Sequence, residues 1–256
     1  MVLTAKEQAI KSFVRLSAIF LGLCLPNVSS GQATNSSSGA AVVPDGSVLT
    51  LGDACYAITT KKNGTEQPIG SVFQSIQRKH VNGVDALAIV VHQHLSSGKF
   101  DMRDSFLLRR TDLRPISLDT DRDGTPHVHL DYAGDRVTGW KMVNGSKEPI
   151  DVGFDGPVWD GNLWGVTFAA LPLKDGGNYQ IPIYQYDSGK GDFFVTVTGQ
   201  QSTGTPKGVV GAWVLEAGLK PNERVEYLVG RDPHMELGYI AGPMSQHIGG
   251  DCTGLN

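Results

Sequence analysis

Apolar and polar residues alternate along most of this chain in short runs, and glycine-bearing turns separate the runs. Over Val84–Leu95, Leu87, Ile89, Val91 and Leu95 share one face while Ala86, Ala88, His92 and His94 share the other, the period of a strand with one buried side. Asn63-Gly64, Asn82-Gly83 and Asn144-Gly145 each sit between such runs, and Asn-Gly is the strongest short hairpin signal. Further alternating runs lie at Phe100–Arg110, Pro126–Tyr132, Arg136–Val143, Asn178–Tyr186, Phe193–Gln200, Val209–Ala217, Arg224–Val229 and Met235–Ile240. Ten or more strands joined by short turns predict an all-β antiparallel meander. One that long has to curl into a barrel or half-barrel to protect its edges.

One stretch breaks the pattern. Between Pro157 and Tyr186, Asp160 is a candidate N-cap and Pro172 forces Leu171 out of helical geometry, so a helix is predicted over Gly161–Leu171. Leu163, Val166 and Ala170 form one stripe and Trp164, Phe168 and Leu171 the next. A helix with no polar face belongs inside something, here the curled sheet.

At 256 residues, 40% hydrophobic and 19% charged, the chain is long enough for one large β domain. The formal charge is -4 without a basic cluster, which argues against nucleic acid as a partner. Lys6, Lys11 and Arg15 precede the apolar run Leu16–Leu25 and a small-residue stretch, the layout of a secretory signal peptide over residues 1–31. That run is short for a bilayer span, so the expectation is an exported protein, periplasmic or extracellular, that does not span the membrane. Leu23 before Cys24 does not suit bacterial lipidation. Residues 32–48 are small and polar and read as a flexible linker, leaving a single domain over 49–256. Cys55 and Cys252 stand near its two ends. In an oxidising compartment they form either one disulfide, worth about 4 to 5 kcal/mol on the chain-entropy model, or two separate thiols.

Four segments carry a resemblance: Thr111-Asp112-Leu113-Arg114-Pro115, the run from Asp131-Tyr132 to Thr138-Gly139, Leu171-Pro172-Leu173 with Gly176 and Tyr179, and Ala212-Trp213-Val214-Leu215-Glu216. Together they resemble an exported bacterial family catalogued as a domain of unknown function, over roughly Ser71 to Tyr239. One departure is Tyr227-Leu228-Val229, where relatives often have Trp. The resemblance implies a bacterial envelope location and a lipocalin-like or lipoprotein-carrier-like half-barrel, and it supplies no catalytic residues. In a bacterium the sequons at Asn27, Asn35, Asn63 and Asn144 carry no glycan.

His92-Gln93-His94 and His127-Val128-His129 each place two imidazoles on one side of a strand; were the strands neighbours, three nitrogens could meet on one metal. The alternative is a solvated face. Asp119-Thr120-Asp121-Arg122-Asp123-Gly124 opens like a calcium loop, but the twelfth position is Leu130, so an Asp-rich β-turn is the better reading. The usual hydrolase, metalloprotease, phosphate-loop and redox motifs are missing. Trp164, Phe168, Tyr179, Tyr184, Phe193 and Trp213 either line a site for an apolar small molecule such as a lipid or fill a dry core. The expectation is a non-enzymatic envelope protein with an apolar ligand and no cofactor. The alternatives are a metal-dependent role at the histidines and a structural module that binds another envelope protein.

Overall fold

The computed structural model describes residues 42–255. The expected signal peptide, Cys24 and most of the expected linker lie outside the described residues. A 3-10 turn at Gly46–Val48 is followed by β1 (Gly52–Lys62), β2 (Thr65–Val81), β3 (Val84–Leu95), β4 (Asp101–Arg109), β5 (Pro115–Arg122), β6 (Thr125–Ala133), β7 (Arg136–Val143) and β8 (Ser146–Gly153). Then come β9 (Trp159–Asp160), the helix α1 (Trp164–Ala169), β10 (Asn178–Gln185), β11 (Gly189–Thr205), β12 (Gly208–Lys220), β13 (Glu223–Gly230), β14 (Glu236–Ala241) and β15 (Met244–Ile248).

All fifteen strands belong to one sheet. Its order runs β8 to β1 and then β15 to β9, so two meanders meet where β1 pairs antiparallel with β15, Tyr56 opposite Ile248. The Cys55–Cys252 disulfide, Cα–Cα 5.8 Å, ties the chain at that junction and decides between the two readings of the cysteines. Four hairpins follow the turn chemistry: Asn63, Asn82, Asp123 and Asn144 have φ of 50–51° and each is followed by a glycine at positive φ. Both positions of such a turn need positive φ, which Asn or Asp followed by Gly tolerates best.

Topology forces the curl. Laid flat, fifteen strands would extend roughly 65 Å at about 4.8 Å per strand. Yet the outermost strands, β8 and β9, are joined only by residues 154–158, which reach at most about 20 Å. The sheet therefore bends until its edges face one another without pairing. Side chains cross the slot: Tyr132 Oη donates to Asp160 Oδ2 at 3.2 Å, Lys141 Nζ to the Tyr186 carbonyl at 3.1 Å, and the Phe154 and Tyr184 rings lie 5.7 Å apart. Trp159, fully buried, donates from Nε1 to the Asp112 carbonyl at 2.7 Å. The result is the expected all-β half-barrel.

Helix α1 lies inside it and is shorter than the predicted Gly161–Leu171. Asp160 does not cap it. Its backbone belongs to β9, paired in parallel with β10, and its Oδ1 accepts from the amide and Nδ2 of Asn162 at 2.8 and 3.0 Å. Leu163 takes the N-cap position with no side-chain hydrogen bond. Gly161 stays outside because its amide donates to the Tyr184 carbonyl, and a Cβ there would meet Gln185. The predicted burial is found except at Trp164, which is half-buried: Leu163, Val166, Phe168, Ala169, Ala170 and Leu171 are all at most 3% exposed. They pack into one core with Leu87, Ile89, Leu118, Leu130, Ile181 and Phe193 from the concave face.

The chain joins the fold before Leu49. The Asp45 amide donates to the Ala170 carbonyl at 2.8 Å, and Gly46 is buried so closely against Leu113 that a Cβ would collide. The Asp-rich run is mostly strand, with only Asp123-Gly124 in the turn. Pairing of β5 with β4 and β6 claims its backbone, so neither a calcium loop nor an extended Asp-rich turn forms. No helix among the described residues is long and apolar enough to cross a membrane.

Candidate functional site

Where α1 does not fill the half-barrel, a cavity of about 270 Å³ remains between the helix and the concave face. The strand period puts its walls in place two residues at a time: Val72 and Gln74 from β2, Val91, Gln93 and Leu95 from β3, Met102 and Asp104 from β4, Val225 and Tyr227 from β13, and Met244 and Gln246 from β15. Trp164 and Gly165 of α1 close the inner side, and Arg122, Tyr186 and Asp187 are among the other lining residues. Glu236 and Tyr239 of β14 also line it, although a spacing of three should place them on opposite faces. A β-bulge resolves this: the β13–β14 register steps from Leu228 opposite Gly238 to Val229 opposite Glu236, leaving Leu237 without an opposite residue. Gly238, at φ 144° and with a Cβ position 2.0 Å from the Gln246 carbonyl oxygen, is the residue that permits it.

The walls are aromatic on one side and polar on the other. Trp164 and Tyr227 stack with centroids 6.1 Å apart, and Tyr227 and Tyr239 lie 5.4 Å apart. Beside them Glu236 is 7% exposed; Gln246 Nε2 donates to its Oε1 at 3.2 Å and Gln74 Nε2 to its Oε2 at 3.5 Å. Tyr56 Oη, fully buried, donates toward both Gln74 Oε1 and the Glu236 carbonyl. Burial pushes the Glu236 carboxyl up to about 7, against the lowering effect of the Gln74 amide. Asp104 is likewise pushed up to about 7 by burial, although Thr120 Oγ1 donates to it at 2.6 Å and Arg122 lies nearby. Asp160, under the slot, rises to about 6 from burial, held down by its Asn162 and Tyr132 hydrogen bonds. Among the described residues none of these three carboxylates pairs with a lysine or arginine within salt-bridge distance.

Of the six aromatic residues predicted to line a site, only Trp164 reaches the cavity. Phe168 and Phe193 are fully buried and touch edge to face, centroids 5.2 Å apart, and Tyr184 is 4% exposed. Tyr179 donates to the Pro172 carbonyl at 2.8 Å, fixing the turn after α1. Trp213 is half-buried under the Arg231 guanidinium. These five are packing residues, because a buried helix needs large rings to fill the space around it.

The histidine pairs do not converge. Strands β4 and β5 separate β3 from β6, so His92 and His94 sit apart from His127 and His129. His92 and His94 contact Asp101 at 2.9 and 3.0 Å, and His92 Nδ1 also meets the Leu255 carbonyl. His129 lies between Asp119 and Asp131, which raise its pKa, Asp119 most, while His127 packs edge-on to Tyr186 and is lowered chiefly by burial. Among the described residues no group of three His, Cys, Asp or Glu side chains could hold a metal ion. The cavity residues Glu236, Gln74, Gln246 and Asp104 escaped sequence reasoning, since polar residues on an inward face look like errors of register until the bulge and strand order are known.

Over the described residues the molecule is thus an open, curled fifteen-strand half-barrel with one internal helix and a cavity of mixed polarity beneath it. Residues 55–241 match the model of the family described as "Protein of unknown function (DUF3108)", and the chain belongs to that family. No curated protein and no solved structure matches the chain.

Proposed function

We propose that this chain is an exported cell-envelope binding protein, not an enzyme, and that it holds one small amphipathic molecule in the cavity beneath α1. The cavity itself carries the reading. Protein cores normally pack to crystal density, so a partly open space of about 270 Å³ lined by both rings and amides is room that a small molecule can enter. It lies just under the roughly 300–1,000 Å³ of usual small-molecule sites. That is room for a single alkyl chain or a small ring system rather than the several chains of a lipoprotein anchor. Glu236 and Asp104 are engaged by neutral amide and hydroxyl donors, which suits recognition better than an activated nucleophile. The Leu16–Leu25 run behind Lys6, Lys11 and Arg15, together with the Cys55–Cys252 disulfide, supports export.

Native mass spectrometry of the protein purified from its own envelope, followed by organic extraction, tests this. A co-purified small molecule at near one-to-one stoichiometry, lost in Trp164→Ala, is the expected result. A bare protein that also fails to take up any amphiphile in solution would overturn it.

A further inference from the structure

We propose that the molecule bound beneath α1 carries an amine, and that Glu236 is the group that receives its ammonium. This rests on the cavity being a ligand site. The geometry comes first. Glu236 is buried, faces the cavity, and has one amide donor on each carboxylate oxygen. A carboxylate has about four acceptor positions, so these two amides leave it capacity for a further donor. Trp164, Tyr227 and Tyr239 line the same cavity, Trp164 stacked with Tyr227 and Tyr239 next to Tyr227. A carboxylate set among aromatic faces attracts a cation twice, by charge and by the ring quadrupoles.

The charge balance of the cavity agrees. Its lining holds Asp104, Asp187 and Glu236 against a single cation, Arg122. Arg122 lies toward Asp104, whose pKa it lowers, and has no such influence on Glu236. An anionic ligand would only favour the protonated form of these acids, whereas an ammonium supplies the positive charge that an ionised Glu236 needs beside it. The titratable groups around Glu236 are Tyr56 from β1, Tyr227 from β13 and Tyr239 on its own strand, whose phenols are raised first by burial and further by Glu236. The neighbouring segments contribute Gln74, Gln246, Trp164 and Gly165, none of them ionisable. Empty, the site keeps Glu236 protonated up to about 7. Docking of an ammonium ionises it, and the carboxyl proton leaves to solvent.

The probes are octylamine, octanol and octanoate, one chain length with three head groups, titrated calorimetrically into the purified full chain. Octylamine should bind about 10- to 100-fold more tightly than octanol, the range expected for a charge-assisted contact. Glu236→Gln, which nearly preserves shape, should collapse that ratio toward one. Should this variant fail to fold, the wild-type protein still decides: at about pH 6 amine binding should release a proton, seen as an enthalpy that varies with the ionisation enthalpy of the buffer. Octanol or octanoate binding as tightly as octylamine, or amine binding without proton release, overturns the amine and leaves the cavity reading standing. No binding of any of the three overturns both.

Discussion

A Cβ built on Gly165 would lie 2.1 Å from Cδ of Glu236: the helix and β14 share a space that only a glycine leaves open. Glu236 thus rests against the backbone of α1, with Gln74 and Gln246 holding its two oxygens from β2 and β15. The bulge at Leu237, the amides and the glycine act together to keep one carboxyl in one place.

Gly165→Ala should therefore push the Glu236 carboxyl off its amides and destabilise the protein by about 1–3 kcal/mol, the usual cost of overpacking. Glu236→Ala removes the obstacle at its own cost. Denaturant unfolding of both single variants and the double variant should show the double losing less than the sum of the singles, with a coupling on the order of 1 kcal/mol. Strict additivity would mean that the two positions do not compete for the same space.

Stability should fall as pH rises through the neutral range. Glu236 and Asp104 start from ordinary values of 4.5 and 3.8 and are raised to about 7 when folded, so the native state holds more protons than the unfolded one across that window. The free energy of unfolding then decreases with rising pH between those limits and levels off above about 7. The effect is on the order of 3–4 kcal/mol for each of these two buried carboxyls, and Asp160, raised to about 6, acts in the same direction. Carboxylates lowered by their partners, such as Asp85 and Asp101, titrate below this window; His127, lowered by burial, opposes the trend, while His129, raised first by its Asp119 hydrogen bond, reinforces it. Chemical denaturation at about pH 5 and about pH 8 should show the protein more stable in acid, with Glu236→Gln and Asp104→Asn each flattening the difference. Equal stability at both values would mean that these groups are ionised and solvated in the fold.

The hairpins could be read from the chain because their cause is local: Asn or Asp followed by Gly is what a turn with two positive φ values needs, and Asn63, Asn82, Asp123 and Asn144 all take it. The inward face of β3 was readable for the same reason, since alternation is a property of neighbouring residues. The meeting of β1 with β15 was not, because pairing between Tyr56 and Ile248 leaves no trace within either segment. Asp160 looked like a helix cap because caps are recognised by residue type, whereas its carboxyl is used by Asn162 one turn too early. The cavity was hidden behind two such long-range facts. Its aromatic wall was half anticipated through Trp164, but Tyr239 shares it with Glu236 only because of the bulge, and Gln74 joins it only because β2 lies beside β1 and faces inward. The histidine pairs show the opposite error. A local pattern that suits a metal did not make a site, because β4 and β5 hold the two strands apart.

Two aromatic residues four apart on α1 should separate packing from binding. Phe168 is fully buried, with Phe193 and Tyr227 edge-on at 5.2 and 5.1 Å, so Phe168→Ala leaves a void that rigid strands cannot close and should cost about 3–5 kcal/mol. Trp164 is larger, yet it is half-buried and one part of its surface already borders the cavity. Removing it enlarges a space that exists, so Trp164→Ala should cost less than Phe168→Ala despite the greater loss of volume. The order reverses for ligand uptake: Trp164→Ala should lose it, while Phe168→Leu, which keeps most of the packing, should retain it. Thermal or denaturant unfolding together with binding titrations on the same variants reads both orders. A Trp164→Ala protein destabilised more than Phe168→Ala, with binding intact, would mean that the indole supports the helix and that the cavity wall lies elsewhere.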